Sequence, residues 1–312
     1  MGHVAMKKAV ETARRAAKSD LPILLTGESG VGKGALAKLI HESGPRATAP
    51  FLQLNCAALP VSIAEAELFG VKRGAYTDAR ENRGGVFEQA HQGTLVLDEI
   101  GELPLDVQPK LLSALDSGRV RPLGATSDVT CNTRIVAATN RPLEEALRER
   151  RFRADLYHRL NVVRIEVPPL RERIEDIDAI VDQVLARAGK RTERAPIGIS
   201  TEVLRLFKSY SWPGNVRELV NAVERAIALT DHDVLVREDF SFDTGDAMRG
   251  VLSEAVDGSL SLEALERRYI QQVLAKTGGH KANAAKILGL DRRTLYRKVA
   301  EIEGRTSDGN DA

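Results

Sequence analysis

One stretch constrains this chain more than any other: "PILLTGESGVGKGALAKLIHES", residues 22–43. An apolar run of strand length meets a glycine-rich turn, which opens directly into an apolar pattern of helical period. Strand, tight turn and helix in that order begin a βα unit, and such units build a parallel sheet covered on both faces. Within the turn, Gly27 to Lys33 follow the spacing G-x-x-x-x-G-K. Glycines at these positions let backbone N–H groups wrap a phosphate, the helix N-terminus favours the anion, and the lysine reaches the β and γ phosphates. Glu28, Ser29, Gly30, Val31, Gly32, Lys33 and Gly34 therefore join Gly27 as candidate nucleotide contacts. Gly34 stands where a Ser or Thr often supplies a hydroxyl to Mg²⁺, so the metal must find its protein ligand elsewhere.

The candidate ligand is in "GTLVLDEIGELP", an apolar run that ends in Asp98-Glu99. A strand end beside a phosphate loop places the first carboxylate near Mg²⁺ and the second near the attacking water. "FLQLNCAAL", "TRIVAATN" and "VVRIEVPPL" read as three further strands. Asn140 ends one of them, where it can orient that water or simply form a turn. An amphipathic helix over 3–18, with Val4, Ala5, Val10, Ala13 and Ala17 apolar, precedes the first strand.

The pattern changes after Pro168 and Pro169. Three helical segments, "RERIEDIDAIVDQVLARAG", "STEVLRLFKSY" and "NVRELVNAVERAIALT", predict a small all-helical domain over 171–237 behind an α/β domain over 1–170. Residues 238–258 are acidic and weakly periodic and read as a linker. A long helix capped near Ser261 and Glu263 and running to Lys276 follows, then two short helices, "KANAAKILG" and "RRTLYRKVAEI", with Gly289 in the turn. This domain covers 259–304, with a tail over 305–312 read as disordered.

The net charge of +1 means that any nucleic-acid surface is local. It is found at the end of the chain, where Asp291 is the sole acid between Lys276 and Lys298. Lys281, Arg292, Arg293, Thr294, Arg297 and Lys298 are the candidate DNA contacts, and Asp291 the cap of the reading helix. Ala284, Ala285, Ile287, Leu288, Leu290, Leu295 and Val299 are the expected small core. A segment this short is marginal alone, so dimerisation through the 261–276 helix is expected. The two cysteines, Cys56 and Cys131, lie in no metal or CxxC pattern and read as buried reduced thiols. With no signal peptide or membrane-length apolar run, a cytoplasmic protein is expected.

The run "GESGVGKG", "LNCAAL", "AELFGVKRGAYTDA", "GGVFEQAHQGTLVLDEIGELP", "VAATNRPLEEA", "FRADLYHRLNVVRIEVPPLRER" and "WPGNVREL" closely resembles the AAA+ domain of bacterial enhancer-binding proteins, the sigma-54-dependent transcription activators. The resemblance spans residues 3–237, and the C-terminal segment resembles the Fis-type helix-turn-helix of that family. It implies ATP and Mg²⁺ as ligands and a hexameric ring. Lys33 matches the Walker A lysine, Asp98 and Glu99 the Walker B pair, Asn140 sensor I and Arg217 sensor II. Asn55 matches the switch asparagine that links the Walker B glutamate to the partner-binding loop. Arg153 and Arg159 match arginines that enter the neighbouring subunit's site; taken without the family, they are surface charges paired with Asp155 or Glu149. Glutamate is frequent in the family at the position of Gly34.

The same resemblance gives a role to the polar loop Gly74-Ala75-Tyr76-Thr77-Asp78-Ala79. In the family it reads G-A-F-T-G-A, sits at a hairpin tip above the ring pore and contacts sigma-54. Here tyrosine replaces the phenylalanine and Asp78 the second glycine. Aspartate tolerates the backbone that glycine permits, but it adds a charge at the contact. Two alternatives stay open on that account: a DNA-binding regulator that does not engage sigma-54, and an AAA+ remodeller of another client. "GRVRPLGATSDVTCNTR" reads as a second pore-side hairpin. With the ATPase beginning almost at residue 3, control is expected from a separate regulatory protein unless a regulatory domain has been removed.

Overall fold

The computed structural model describes residues 4–57, 59–75, 81–191, 198–230, 233–240 and 280–304, with scattered positions between 266 and 277. It divides into two units, Met1–Phe240 and Ser241–Ala312. Among the described residues no helix is long and apolar enough to cross a membrane.

The first unit is built on five parallel strands: β1 (Ile23–Thr26), β2 (Phe51–Asn55), β5 (Thr94–Asp98), β8 (Arg134–Thr139) and β9 (Val163–Glu166). Their order across the sheet is β2-β5-β8-β1-β9. The phosphate-loop strand β1 is thus flanked by β8 and β9, with β5 one strand further. The carboxyl ends of β1, β5 and β8 open on one edge, where open parallel sheets bind ligands.

Alternation along the strands splits the core into two layers. Leu24, Leu95, Leu97, Ile135 and Ala137 face one side, against α3 (Val61–Phe69), α5 (Gln108–Ser117), α6 (Leu143–Arg148) and α7 (Ala154–Leu160). Ile23, Leu25, Val96, Val136, Ala138 and Ile165 face the other, against α1 (Val4–Ala17) and α2 (Lys33–Glu42). Helix α1 docks through Ala9, Ala13 and Ala17, small residues that allow close approach, while Val4 of the expected apolar stripe is exposed. Cys56 and Cys131 are both buried and free, and burial pushes the Cys56 thiol up to about 12 and the Cys131 thiol to about 11.

Two short antiparallel hairpins stand off this sheet. β3 (Gly70–Val71) pairs with β4 (Arg83–Gly84), and β6 (Arg119–Val120) with β7 (Val129–Thr130), the second being the expected pore-side hairpin. Their bases are joined: Lys72 N donates to Leu123 O, and Leu123 N to Gly70 O, both at 2.9 Å. Tyr76, Thr77, Asp78 and Ala79 of the loop between β3 and β4 lie outside the described residues.

The lid contains α8 (Ile177–Arg191), α9 (Thr201–Ser209) and α10 (Asn215–Leu229). It is not all-helical as predicted. β10 (Gly198–Ile199) and β11 (Val234–Leu235) form a parallel pair tying the entry of α9 to the exit of α10. The pair is too short for period-2 patterning to register. The lid also extends past 237. Phe240 is buried and meets Phe207 edge-on at 5.0 Å, so residues 238–240 belong to it rather than to the linker. The rest of the expected linker, the Ser261–Glu263 cap and the 305–312 tail lie outside the described residues.

In the second unit α11 (Lys281–Leu288) and α12 (Arg292–Gly304) flank Gly289. Ile270, Val273, Ala284, Ala285, Leu295 and Val299 form its core, with Leu288 and Leu290 packed against them. Ile287, expected in that core, is 57% exposed and does not join it.

Arg134 is 2% exposed, and its guanidinium donates to Ala17 O and Ala16 O, each at 2.7 Å, closing the C-terminal end of α1. Arg134→Ala would strand both carbonyls and leave a cavity, so a stability loss on the order of 3 kcal/mol is expected in urea unfolding of the chain.

Candidate functional site

The phosphate loop leaves β1 at Gly27 and enters α2 at Lys33. Gly32 caps the helix with φ 106°, and Gly30 has φ 77°, both in the region that glycine alone enters freely. Lys33 is 7% exposed, and its Nζ donates to Gly27 O at 2.8 Å and Glu28 O at 3.0 Å. Burial lowers its pKa; Glu99 and Asp98 pull in the opposite direction, favouring the charged ammonium.

A cleft of about 280 Å³ lies beside the loop, lined by Ser29, Lys33, Gly34, Asp98, Glu99 and Arg217 among others. Asp98 ends β5 in register with Asn55 at the end of β2. Its Oδ1 accepts from Glu99 N at 3.1 Å and its Oδ2 from Gln53 Nε2 at 3.3 Å. Glu99 takes φ 51°, which turns the chain away from the strand, and its Oε2 accepts from the Asn140 backbone N–H at 3.0 Å. Asn140 thus meets the glutamate through its main chain. The Asn55 carboxamide accepts from Ala57 N at 2.9 Å, closing an Asx turn. Asn55 stands beside the Walker B strand, engaged with its own backbone.

Asp98 and the phosphates of a nucleotide are hard oxygen donors of the kind Mg²⁺ takes, since that ion keeps several waters and needs few protein ligands. The lack of any cluster of three or more His, Cys, Asp or Glu among the described residues is compatible with such a site. Asp98 is the residue that fits the metal.

Spacing alone did not expose how the lid holds the loop. Glu28, a predicted nucleotide contact, turns its carboxylate to the lid instead of the cleft. Arg171 grips it with two nitrogens, at 2.6 and 2.9 Å, and Asn215 Nδ2 donates to it at 3.0 Å. The Arg171 hydrogen bond is the main reason the Glu28 carboxyl lies below the usual range. Asn215, fully buried, also donates to Ser29 O and accepts from Leu170 N. Arg173, buried, donates to Val31 O, while Val31 itself packs in the core. Arg217 Nη1 reaches Ser29 Oγ at 3.0 Å and its main-chain N–H donates to Gly30 O at 3.2 Å. The signals were in the quoted "PPLRER" and "WPGNVREL", but only as motif letters.

Arg153 and Arg159 do not line this cleft. Arg153 pairs with Asp155 at 2.7 Å; Arg159 pairs with Asp116 at 3.0 Å and donates to Leu115 O. All four side chains are substantially exposed, so these pairs hold the arginines only weakly.

In the second unit Asp291 Oδ1 accepts from Arg293 N at 2.8 Å, the cap read from the sequence. Arg292, Arg293 and Arg297 are exposed and Thr294 is half-buried. The candidate contacts Lys298 and Lys281 have partners inside the unit. Lys298 is paired with Glu266 at 2.7 Å, and Lys281 stands 5.4 Å from the centre of the Tyr296 ring. Tyr296, itself 53% exposed on α12, was not singled out from the sequence.

The Arg171–Glu28 pair is half-exposed, so breaking it costs less than about 1 kcal/mol. Arg171→Met is therefore expected to weaken binding of a fluorescent ATP analogue by roughly threefold to fivefold. Its urea midpoint should stay close to that of the parent chain.

The sigma-54 interaction domain model matches residues 1–166, the AAA+ ATPase lid domain model residues 171–250, and the model for bacterial regulatory proteins of the Fis family residues 261–301. Transcriptional regulatory protein GlrR of Escherichia coli (strain K12) is 40% identical over 314 residues, covering 98% of this chain and 67% of GlrR. The Nif-specific regulatory protein of Azotobacter vinelandii is 41% identical over 305 residues, covering 97% of this chain and 58% of that relative. NtrX from Brucella abortus, solved with ADP and with ATP, superposes with a TM-score of 0.70 at 31% identity, over 96% of this chain and 68% of NtrX. The phosphate loop, the acidic strand end, the lid that grips the loop and the capped C-terminal helix pair all fall inside these matches. This chain belongs to the sigma-54-dependent transcription activators, with an AAA+ ATP-binding domain and a Fis-type DNA-binding helix-turn-helix.

Proposed function

We propose that this chain hydrolyses ATP as a ring oligomer and uses the Gly74–Ala79 loop to remodel the sigma-54 RNA polymerase closed complex, while its C-terminal helices hold upstream DNA as a dimer. The observation that carries this reading is the connection between the nucleotide cleft and the loop. Cys56 N donates to Asp98 O, α3 follows, and the chain runs directly from it into β3, one arm of the loop hairpin. A change at the end of β5 has a short route, through one hydrogen bond and α3, to the base of that hairpin.

In this reading Lys33 exchanges its two loop carbonyls for phosphate oxygens. Asp98 holds Mg²⁺, which neutralises charge on the β and γ phosphates when bound. Glu99 takes the proton of the attacking water, and its bond to the Asn140 N–H fixes where that carboxylate waits. Arg217, already on Ser29, closes the cleft from the lid. Arg153 and Arg159 leave their weak local partners to complete the site of a neighbouring protomer, where such an arginine contributes ~10³–10⁵ in rate. Arg292 and Arg293 fit guanine edges in the major groove, and Lys281 and Lys298 fit phosphate. Tyr76 supplies the aromatic ring of the loop, and Asp78 adds a negative charge beside it in the sequence.

Trans completion has a direct test. Glu99→Gln and Arg159→Ala should each be nearly inactive alone, and their mixture should regain ATPase activity through interfaces that join one intact half-site from each. Failure to regain activity would refute the shared site. Engagement of sigma-54 is read on a native gel with purified sigma-54 and ADP plus aluminium fluoride. A trapped complex that Tyr76→Ala abolishes is the expected result. Ring formation and hydrolysis with no trapped complex would assign the ATPase to a different client.

A further inference from the structure

Gly34 and Gln53 face one another beside the cleft. Gly34 occupies the first turn of α2, where a glycine is about 1 kcal/mol less favourable than alanine. Gln53 occupies the middle of β2, between Leu52 and Leu54, on the side of the sheet that α2 covers. It is exposed there, on the edge strand of the sheet. A Cβ built at Gly34 would stand 3.8 Å from Gln53 Nε2 and 4.0 Å from Gln53 Oε1, so the glutamine reaches into the space beside the missing side chain. From the same place its Nε2 donates to Asp98 Oδ2 at 3.3 Å.

We propose that Gln53 is a positioning residue for the metal: its carboxamide nitrogen holds Asp98, and its carboxamide oxygen takes over the role of the hydroxyl that Gly34 lacks, accepting a hydrogen bond from a water of the bound Mg²⁺. The chemistry selects this orientation. An ionised carboxylate only accepts, so the nitrogen faces Asp98, and the oxygen, 4.0 Å from where a Gly34 Cβ would stand, is left to accept from another donor. Mg²⁺ dehydrates reluctantly and is held largely through its waters, so an acceptor one water away from the ion contributes without touching it. Groups that orient a metal ligand in this way are worth about 10–100-fold in metal affinity. Gly34 is the complementary half of the device: its missing side chain leaves the opening that Gln53 fills, and serine at this position meets only ordinary contact distances.

This inference rests on the ATP and Mg²⁺ reading above, and the test separates the two. Fluorescent ADP is titrated into the full chain with and without EDTA, then with MgCl₂ at fixed nucleotide, for the parent, Gln53→Leu, Gly34→Ser and the double variant. Gln53→Leu should raise the half-saturating Mg²⁺ concentration about tenfold while changing metal-free ADP affinity by less than about twofold. Adding Gly34→Ser to Gln53→Leu should recover most of that loss, because a hydroxyl is restored on the facing element. An unchanged Mg²⁺ midpoint in Gln53→Leu overturns the proposal. So does a parallel fall in metal-free affinity, which would make Gln53 a support of the loop, and so does a double variant no better than Gln53→Leu. A parent chain that binds no ADP under any condition overturns the ATPase reading itself.

Discussion

The nucleotide half of this molecule depends on one close approach. The main chain at Gly30 lies so near the lid that a Cβ there would sit 2.3 Å from the carbonyl oxygen of Gly214. Only a glycine, with positive φ and no side chain, lets loop and lid share that space. The contact explains what surrounds it. Asn215 follows Gly214 in a left-handed conformation with φ 55°, which asparagine tolerates better than most residues. From there its carboxamide reaches three residues in two segments: Glu28 and Ser29 of the loop, and Leu170 at the entry to the lid. Trp212, also at positive φ, is held by complete burial, by its indole bond to Phe207 O at 2.7 Å and by edge contacts with Phe207 and Tyr210. Strained backbone of this kind persists only where packing over-determines it.

The phosphate loop is consequently not a free-standing turn. Its outer face is occupied by Arg171, Arg173 and Asn215, and its inner face holds Lys33 against its own carbonyls. A phosphate entering the cleft competes only for the inner set. The lid can therefore keep its grip on Glu28 while Lys33 changes partners, and the two ends of the site need not move together. The hairpin side of this unit has the same economy of connection. The hairpin that carries the loop at 74–79 is fastened to the second hairpin through Leu123, and Ala75 lies against Gly124 with no room for a Cβ between them. Motion of one hairpin base carries the other.

How much of this was legible in the sequence follows from the range of the interactions. That Lys33, Asp98 and Glu99 would line one cleft was legible because the patterns that place them are local: a strand end, a glycine turn and a helix start. The five strands and the cap at Asp291 were legible for the same reason. Glu28 was read as a nucleotide contact because the motif treats the loop as a unit, whereas its side chain is claimed by Arg171, more than a hundred positions away in the chain. Gln53 was invisible because its meaning depends on Gly34 and Asp98 across the sheet. Asn140 was placed correctly at a strand end, but nothing in its spacing says that its main chain, rather than its carboxamide, meets Glu99. The β10–β11 pair was missed because two residues cannot display a period.

The C-terminal helix pair carries a tension that local energetics do not favour. Arg292 and Arg293 open α12, where the helix dipole disfavours positive charge, and the cap Asp291 is the acid next to them in the chain. Lys281 and Lys298 relieve theirs by leaning on Tyr296 and Glu266. The reading helix is thus split by function. Its middle is tied into the unit through Lys298, and its first turn holds two exposed cations at a position that lowers stability unless an anion approaches. A polyanion satisfies both the arginines and the helix N-terminus at once, so the same charges that weaken the isolated unit become favourable on DNA, and more so at low salt. This is the stability cost expected of a surface selected for a partner rather than for the fold.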